Sequence, residues 1–351
     1  MKRVLLSTVL CLALGMVFLW RQSPEAQAAQ GAAQTVGRGT QQPAGTQNPR
    51  PTDNPQTVVR GIQRASGAPQ PANGTLPLAP IDPGRPWGWM VKAFMENPDQ
   101  KLYNRAKQRL LEGQQVFSHV MRNLDVETYC RQAPHYDFTW FEMQHSLMTF
   151  ADVRQMVQAC PHVGAAPIIR MPDSFEANTQ KAFDIGMLGI VIPTVDNAAE
   201  ARDAAIHARF PPVARRSSGN TLSGEAPMMW NPLVPPGLNY RRSINDNTLV
   251  VVMIETVEGV DNALEIASTP GVDVVFMGSN DLQEFSGFAM NDDRFEDLLI
   301  RVRNATYLAG KFFGNVLGGK ANRLYPDSRF NEGGPAFDGW VDPVRGVQSA
   351  P

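Results

Sequence analysis

Cysteine is scarce in this chain of 351 residues, which contains only Cys11, Cys130 and Cys160. Three thiols are too few for a small domain built on disulfide bonds or for a zinc site with four cysteine ligands. An excess of positive charge is also missing, since 32 basic residues face 34 acidic ones. A general nucleic-acid binder needs a basic surface to replace the counterions around phosphates, so the sequence argues against nucleic acid as a partner.

A long apolar run is confined to the amino terminus, in residues 1–28. Lys2-Arg3 precedes an apolar stretch from Val4 to Trp20, and Ala26-Gln-Ala28 supplies a small-x-small cleavage pattern. This layout predicts a secretory signal peptide and hence a periplasmic or secreted protein. The alternative is an uncleaved membrane anchor, because the 17-residue run is near the lower limit for crossing a bilayer.

Residues 29–80 differ from the rest of the chain in composition. They consist largely of Gln, Ala, Gly, Pro and Thr, with few large apolar side chains. Such a segment cannot bury enough apolar surface to offset the entropy lost on ordering, so we predict a disordered linker. The folded domain is then residues 81–351. In an oxidising compartment Cys130 and Cys160, near the ends of neighbouring predicted helices, can form a disulfide, and the sequence leaves this bond open.

Within residues 81–351, short apolar runs alternate with amphipathic stretches. This alternation predicts parallel strands joined by helical crossovers. The predicted strands are residues 116–121, 138–143, 167–171, 189–193, 249–255, 274–278 and 312–316, and the predicted helices are 149–159, 174–184, 197–208 and 257–267.

Polar residues that end the strands recur at a regular interval. Residues 145, 170 and 193 follow one another at 25 and 23 positions, and residues 255 and 281 are 26 apart. One strand–helix unit has about this length. A (β/α)8 TIM-type barrel would gather these positions on the face where the strands end. An open doubly wound sheet also alternates β and α, but its G-x-G-x-x-G phosphate turn is missing from the sequence.

Two segments interrupt the repeat. Residues 211–246, rich in Pro, Gly and Arg, fall within the 62-residue interval between Pro193 and Glu255 and are predicted to form a long inserted loop. After residue 316 a barrel needs a further helix and an eighth apolar strand, but residues 317–351 are polar and rich in Gly, Pro and Asp. We therefore expect the barrel to close irregularly, or a partner subunit to complete it.

Two carboxylates follow buried strands one unit apart. Glu255 ends the run Leu249–Ile254, and Asp281 follows Val274–Asn280. A carboxylate at the end of a buried strand is costly unless its charge is compensated. Two of them predict a divalent metal site, for Mg²⁺ or Mn²⁺. The alternative is that each carboxylate caps the helix that follows it.

Arg170 and His145 are the other candidates for chemistry at the strand ends. A guanidinium suits bidentate capture of a carboxylate, although a structural ion pair is the alternative. Histidine exchanges protons near neutral pH, and Glu142, three residues earlier, can orient its ring. The alternative for His145 is a partly buried structural histidine.

Residues 104–318 resemble the HpcH/HpaI aldolase family, the metal-dependent class II pyruvate aldolases. The order and spacing of several motifs agree with that family, namely Asn104–Gly113, Phe138–Ser146, Pro167–Pro172, Phe183–Gly186, Val191–Val195, Phe210–Pro212 with Arg215-Arg216, Ile254–Thr256 and Gly278–Leu282.

The resemblance implies roles for residues of this chain. Glu255 and Asp281 are similar to the metal ligands, Arg170 to the clamp on the pyruvyl carboxylate, and His145 to the catalytic base oriented by Glu142. Asp184 matches a further acidic residue near the family's active site. Gly278, Ser279 and Asn280 would face the substrate carboxylate. The resemblance also implies a homo-oligomer, a hexamer in the family.

Some residues depart from the family pattern. Glu142 stands where the family usually has Asp, and Gln144 replaces a usual Glu. Ser279-Asn280 stands in place of Pro-Ala. The extra methylene of Glu142 could shift its contact with the ring of His145, and Ser279 brings a main-chain donor that proline lacks.

The resulting expectation is a carbon–carbon lyase that cleaves or forms 4-hydroxy-2-oxo acids, giving pyruvate enolate and an aldehyde, with a small 2-oxo acid as its substrate. Two other functions are kept as alternatives. One is an acyl-CoA lyase of the citrate or malyl-CoA lyase type, which an exported location disfavours because CoA is intracellular. The other is a secreted, non-catalytic protein that binds acids or carbohydrates on an aldolase scaffold.

Overall fold

The computed structural model of the protein describes residues 102–217, 225–317, 319 and 322–337. The predicted signal peptide and linker lie outside the described residues, as do residues 81–101 and 338–351. Among the helices that are described, none is both long enough and apolar enough to span a bilayer.

Eight parallel strands close into a barrel in chain order, which confirms the predicted TIM-type fold. The strands are β1 (Val116–Met121), β2 (Phe138–Glu142), β3 (Ala166–Arg170), β4 (Gly189–Ile192), β5 (Leu249–Ile254), β6 (Val274–Met277), β7 (Phe312–Val316) and β8 (Phe330–Glu332).

The strands of the barrel are apolar because they are covered on both faces. Every residue of β2, β3, β4, β5 and β6 is buried. Aromatic rings fill the interior, where Phe138 stacks on Phe330 with 4.3 Å between ring centroids. The ring of Phe276 meets that of Phe330 edge-on, with 6.3 Å between centroids. It is tilted against the ring of Trp140, with 5.3 Å between centroids. These rings fill the inside of the barrel, and in this fold the active site lies at the face where the strands end.

Helices surround the barrel. They are α1 (Arg105–Leu111), α2 (Val126–Gln132), α3 (Phe150–Ala159), α4 (Glu176–Asp184), α5 (Ala198–Ala208), α6 (Glu225–Trp230), α7 (Tyr240–Asn247), α8 (Val257–Asp261), α9 (Ala263–Ser268), α10 (Ser279–Ser286) and α11 (Asp293–Leu308). Polar residues start several of them. Thr149 and Asp152 form a reciprocal capping box at α3, and Asn197 caps α5.

The prediction of a single long loop over residues 211–246 is wrong. Its described part contains α6, the start of α7 and a short 3₁₀ helix, Asn231–Leu233. Asn239 caps α7 by accepting a hydrogen bond from Arg242 N. The indole of Trp230 donates to Gly186 O at 2.9 Å, so this segment is packed onto the barrel. The prolines and glycines of this segment favoured the prediction of a loop, and its two helices are short.

The chain itself closes the barrel, so no partner subunit is needed to complete the sheet. β8 pairs with β1 and with β7. A 3₁₀ helix, Asn322–Asp327, stands between β7 and β8 where a regular barrel has an α-helix. The expected irregular closure is confirmed in this form. The expectation that the tail lacks an eighth strand is wrong, because three residues suffice when both neighbouring strands pair with them.

A disulfide joins Cys130 in α2 to Cys160, the residue that ends α3, with 5.7 Å between their Cα atoms. The two helices flank β2, the strand that carries Trp140 and Glu142. The bond that the sequence left open is therefore present, and it fixes the packing of two neighbouring helices outside β2.

A cluster of buried charges lies at the face where the strands begin. Asp273 precedes β6 and pairs with Arg209 at 2.6 Å and Lys107 at 3.8 Å. Lys107 Nζ also donates to Thr248 O at 2.6 Å, and Lys311 Nζ donates to Val272 O at 2.7 Å. Burial lowers the pKa of Lys107 to about 7. The three cations outnumber the carboxylates of Asp273 and Asp246 that act on them, and main-chain carbonyls accept from both lysines.

Candidate active site

A buried guanidinium organises the face where the strands end. Arg170, the last residue of β3, is only 8% exposed. Its Nη1 lies 3.4 Å from Glu142 Oε2, and its Nη2 lies 3.2 Å from Glu255 Oε1. Three residues from β2, β3 and the end of β5 therefore meet at one point. Of the positions predicted to converge, Arg170 and Glu255 are thus in contact, and Glu142 joins them.

Glu142 holds the loop that carries His145. Its Oε1 accepts hydrogen bonds from the main-chain nitrogens of Gln144 and His145, each at 3.0 Å. Its Oε2 accepts from the indole of Trp140 at 3.1 Å. The expectation that Glu142 orients the imidazole is thus corrected, because the carboxylate binds the main chain of His145. The ring of this exposed residue makes no hydrogen bond to another described residue.

Glu255 is held at the mouth from two sides. Its Oε2 accepts hydrogen bonds from the N–H and the hydroxyl of Thr194, at 2.8 and 3.0 Å, while Oε1 faces Arg170. Burial raises the pKa of Glu255 above its ordinary value, Arg170 and the Thr194 hydrogen bonds oppose that rise, and the negative charge of Asp281 adds to it. A cation bound beside Glu255 would offset the like charge of Asp281.

Gly278 makes room for the Glu255 carboxylate. A Cβ built at position 278 would lie 2.4 Å from Glu255 Oε1, a separation that no side chain tolerates. Gly278 also precedes α10, and Asp281 lies in the first turn of that helix. The glycine thus lets the start of α10, the helix whose first turn carries Asp281, approach Glu255.

Three buried polar atoms among the candidate residues and their neighbours lack a hydrogen-bond partner. They are Arg170 Nε, Gln144 Oε1 and the Ser279 hydroxyl oxygen. Ser279 is buried at the start of α10, whereas Asn280 next to it is exposed. A buried polar group without a partner costs about 1–3 kcal/mol, so several of them near one face are typical of a place that a ligand fills.

Asp184 is not brought together with the other candidates. It is buried at the end of α4, where its Oδ1 accepts from Arg216 Nη2 at 2.9 Å and from Gln180 Nε2 at 2.8 Å. Helices in this fold run opposite to the strands, so the end of α4 lies toward the face where the strands begin. Within this chain Asp184 is part of a buried ion pair.

Glu332, the last residue of β8, is an acid that the sequence analysis missed. Burial raises its pKa, and the charge of Glu142 raises it further, against the opposing charges of Arg170 and Arg122. Its Oε1 lies 3.6 Å from Arg122 Nη2. No signal in the sequence could have found it, because the strand that places it was itself unrecognised.

The residues at the mouth fit a divalent ion in their chemistry. Glu255 and Asp281 supply hard oxygen donors, and the carboxylates near Arg170 outnumber it, so a further cation would reduce their mutual repulsion. Among the residues that the structure describes, no group of three or more His, Cys, Asp or Glu side chains is arranged to hold a metal. Two protein ligands leave the remaining positions of an ion to substrate and water.

Comparison with known proteins agrees with the fold and with the family resemblance. The family model for HpcH/HpaI aldolase/citrate lyase matches residues 123–324, more than half of the chain. The chain is 30% identical over 186 residues to 4-hydroxy-2-oxo-heptane-1,7-dioate aldolase of Salmonella heidelberg, covering 51% of this chain and 68% of the relative. It is 28% identical over 216 residues to 2-keto-3-deoxy-L-rhamnonate aldolase of Shigella sonnei, covering 60% and 79%.

A third relative matches over a shorter length. It is 2-dehydro-3,6-dideoxy-6-sulfogluconate aldolase of Pseudomonas putida, 30% identical over 156 residues, which are 44% of this chain and 58% of the relative. The chain therefore spans little more than half of that protein.

Solved structures show the same fold. A family member from Burkholderia cenocepacia superposes with a TM-score of 0.57 and 24% identity, over 66% of this chain and 92% of that one. A HpcH/HpaI aldolase from Desulfitobacterium hafniense gives 0.54 and 23%, over 65% and 90%. By its sequence and its barrel, the chain belongs to the HpcH/HpaI aldolase/citrate lyase family and is a carbon–carbon lyase of that type.

Proposed function

We propose that the protein is a metal-dependent aldolase that cleaves or forms 4-hydroxy-2-oxo acids, with pyruvate enolate and an aldehyde as the two halves. The proposal rests on the surroundings of Arg170. Its guanidinium is buried between Glu142 and Glu255, and its Nε has no hydrogen-bond partner. A planar guanidinium with a spare donor suits the carboxylate of a 2-oxo acid. The names of the Salmonella and Shigella relatives support this substrate class, because each denotes an aldolase of a 2-oxo or 2-keto acid.

Glu255 and Asp281 would hold the ion, Mg²⁺ or Mn²⁺ being the cations that favour oxygen ligands of this kind. The bound ion supplies a Lewis acid that polarises the 2-oxo group. Gly278 keeps the space beside Glu255 Oε1 open, so that the carboxylate can take part.

The other residues bind the substrate and move its proton. Arg170 binds and orients the carboxylate, and the Ser279 hydroxyl and the first main-chain N–H groups of α10 can donate to it. His145 takes the proton of the 4-hydroxyl group as the bond between C3 and C4 breaks, and it returns the proton in the condensation. Glu142 fixes the main chain that presents His145.

Pyruvate release from a 4-hydroxy-2-oxo acid tests this proposal. We expect release with added Mn²⁺ or Mg²⁺ and none with EDTA. Glu255→Gln and Asp281→Asn should each abolish both release and Mn²⁺ binding measured by calorimetry. Asp261→Asn is a matched control, because its carboxylate is 63% exposed and pairs with Arg301 on the surface. Release that persists in EDTA would contradict metal dependence, and no release from any such acid would favour the alternatives.

We also propose that the protein works outside the cytoplasm. The Cys130–Cys160 disulfide supports this, since such bonds persist in oxidising compartments, and so does the secretory pattern of residues 1–28. The family resemblance supports a homo-oligomer, expected to be a hexamer, which light scattering of the purified protein would test.

A further inference from the structure

Glu332 faces the inside of the barrel. Phe330, two residues earlier in β8, stacks on Phe138 in the barrel core. Side chains alternate along a strand, so Glu332 lies on the same inner face as Phe330 and nearer the end of the strand. Its main-chain oxygen accepts from Leu317 N at 3.0 Å, which anchors the end of β8 to β7. The side chain is therefore presented to the mouth by a backbone that is held in place.

The carboxylate of Glu332 has acceptor capacity that the protein leaves unused. Its side chain is only 13% exposed, and its nearest cation is Arg122 Nη2 at 3.6 Å, an ion pair too long for a good hydrogen bond. Neither carboxylate oxygen accepts a hydrogen bond from any residue within the described ranges. A carboxylate that is mostly removed from water without a donor is unfavourable, so a donor from a bound molecule would be stabilising.

Glu332 lies at the part of the mouth where the aldehyde half of the substrate would bind. Under the proposed function, on which this inference rests, the pyruvyl half occupies Arg170, Glu255 and the start of α10. The aldehyde half begins at the other side of the bond that breaks, and the mouth that remains is bordered by β7, β8 and β1. Glu332 lies near enough to Arg170 and Glu142 for their charges to act on it.

We propose that Glu332 is a specificity-determining residue that accepts a hydrogen bond from a hydroxyl group beyond C4, so that the site favours hydroxylated aldehydes over apolar ones. An ionised carboxylate only accepts hydrogen bonds, and a hydroxyl group is the donor that an uncharged aldehyde can carry. Arg122, whose side chain is 61% exposed, lies beside the same carboxylate. A site built around a polar contact discriminates strongly against a substrate that lacks the matching group.

Condensation of pyruvate with two aldehydes tests the proposal. Lactaldehyde and propanal differ by one hydroxyl group, and pyruvate consumption gives kcat/KM for each. The wild type should prefer lactaldehyde. Glu332→Met, which removes the acceptor at similar length, should lower kcat/KM for lactaldehyde about 10- to 100-fold, mainly through KM, and change that for propanal by less than about threefold. Arg122→Met, which leaves the acceptor in place, should keep the preference.

The outcomes separate this proposal from its competitors. An equal loss for both aldehydes in Glu332→Met would overturn it and make Glu332 a positioning residue that acts through Arg170. Loss of the preference in Arg122→Met would also overturn it.

If Glu332→Met does not fold, as shown by thermal melting, the variant Glu332→Gln provides the test. That amide keeps one acceptor oxygen without the charge, so an unchanged preference would refute the proposal and a fall of about three- to tenfold would support it. No condensation of either aldehyde by the wild type would overturn the proposed function together with this inference.

Discussion

The two ends of the barrel carry opposite arrangements of buried charge. Where the strands end, one guanidinium, Arg170, is close to the carboxylates of Glu142 and Glu255. Where the strands begin, one carboxylate, Asp273, is surrounded by Arg209 and two lysines. Each end therefore has an imbalance of charge in a place with little water, and the two imbalances differ in sign.

The difference lies in what satisfies the excess. At the start of the strands, main-chain carbonyls such as Thr248 O and Val272 O accept from the lysines, and Gly271 O accepts from Arg209. At the end of the strands, Glu142 accepts from Trp140 and from the main chain of residues 144 and 145, and Glu255 accepts from Thr194. Polar atoms of Arg170 and Ser279 are left without partners there. The end of the strands therefore keeps donors that a bound carboxylate can use.

Replacing the central arginine at each end by methionine should give the largest difference, in activity at one end and in stability at the other. Arg170→Met should lower kcat/KM about 10²- to 10³-fold, because the substrate carboxylate loses its charged donor. Arg209→Met should instead lower the free energy of unfolding by about 3–5 kcal/mol, since it removes one partner of a buried pair, with little change in the kcat of the folded enzyme. Kinetics and urea unfolding of both variants measure the contrast. An Arg209→Met enzyme that folds well but is as inactive as Arg170→Met would refute it.

A matched pair of glycines sharpens the same contrast. An added Cβ at Gly278 meets the Glu255 carboxylate at 2.4 Å, and one at Gly271 meets Ala205 Cβ at 2.9 Å on a backbone with φ of +91°. Gly278→Ala should cost about 10²-fold in activity by displacing a functional carboxylate. Gly271→Ala should cost about 1–3 kcal/mol of stability and spare activity. The idea fails if Gly278→Ala keeps wild-type kcat/KM.

The pH dependence of stability gives the smallest effect. The folded-state pKa of Lys107, about 7, lies below the ordinary value of an unfolded lysine. Between pH 7 and about 10 the unfolded state binds a proton that the folded state lacks, so the free energy of unfolding should rise with pH. Burial also lowers the pKa of Lys311, which acts in the same direction.

Urea unfolding at pH 7 and pH 9.5 would measure this rise. Lys107→Met should flatten it, and Lys181→Met, a control on α4 whose side chain is exposed, should leave it unchanged. A rise that is as steep in Lys107→Met as in the wild type would rule out Lys107 as its source.

Much of the barrel could be predicted from sequence because its strands are covered on both faces. The predicted bounds of β1 and β7 agree with the structure, those of β2, β4, β5 and β6 run one residue too far, and β3 is shifted by one residue. Helix α5 was predicted to start at its cap, Asn197, and residues 257–267 form two helices, α8 and α9, in place of one. Long apolar runs therefore located the elements, and local hydrogen bonds set their ends.

The remainder depended on contacts that no local pattern records. β8 has one apolar residue, Phe330, followed by two polar ones, so neither length nor alternation marks it as a strand. Asn331 is fully buried because its Nδ2 donates to Val116 O across the closure, at 3.2 Å. Glu332 could not be assigned to the mouth without that pairing. Likewise, the spacing of Glu142 and His145 predicted a contact, but not that the main chain would take it.

The shortness of the eighth strand has a consequence for how this enzyme can change. The residues proposed to bind the pyruvyl carboxylate and the metal lie on β3 and after β5 and β6, whereas Glu332 belongs to the three-residue strand β8. Replacing that short stretch would alter which aldehydes are accepted while the groups that break the bond stay as they are. If Glu332 has the proposed role, selectivity can therefore evolve at one position of β8, while Phe330 and Asn331 keep the barrel closed.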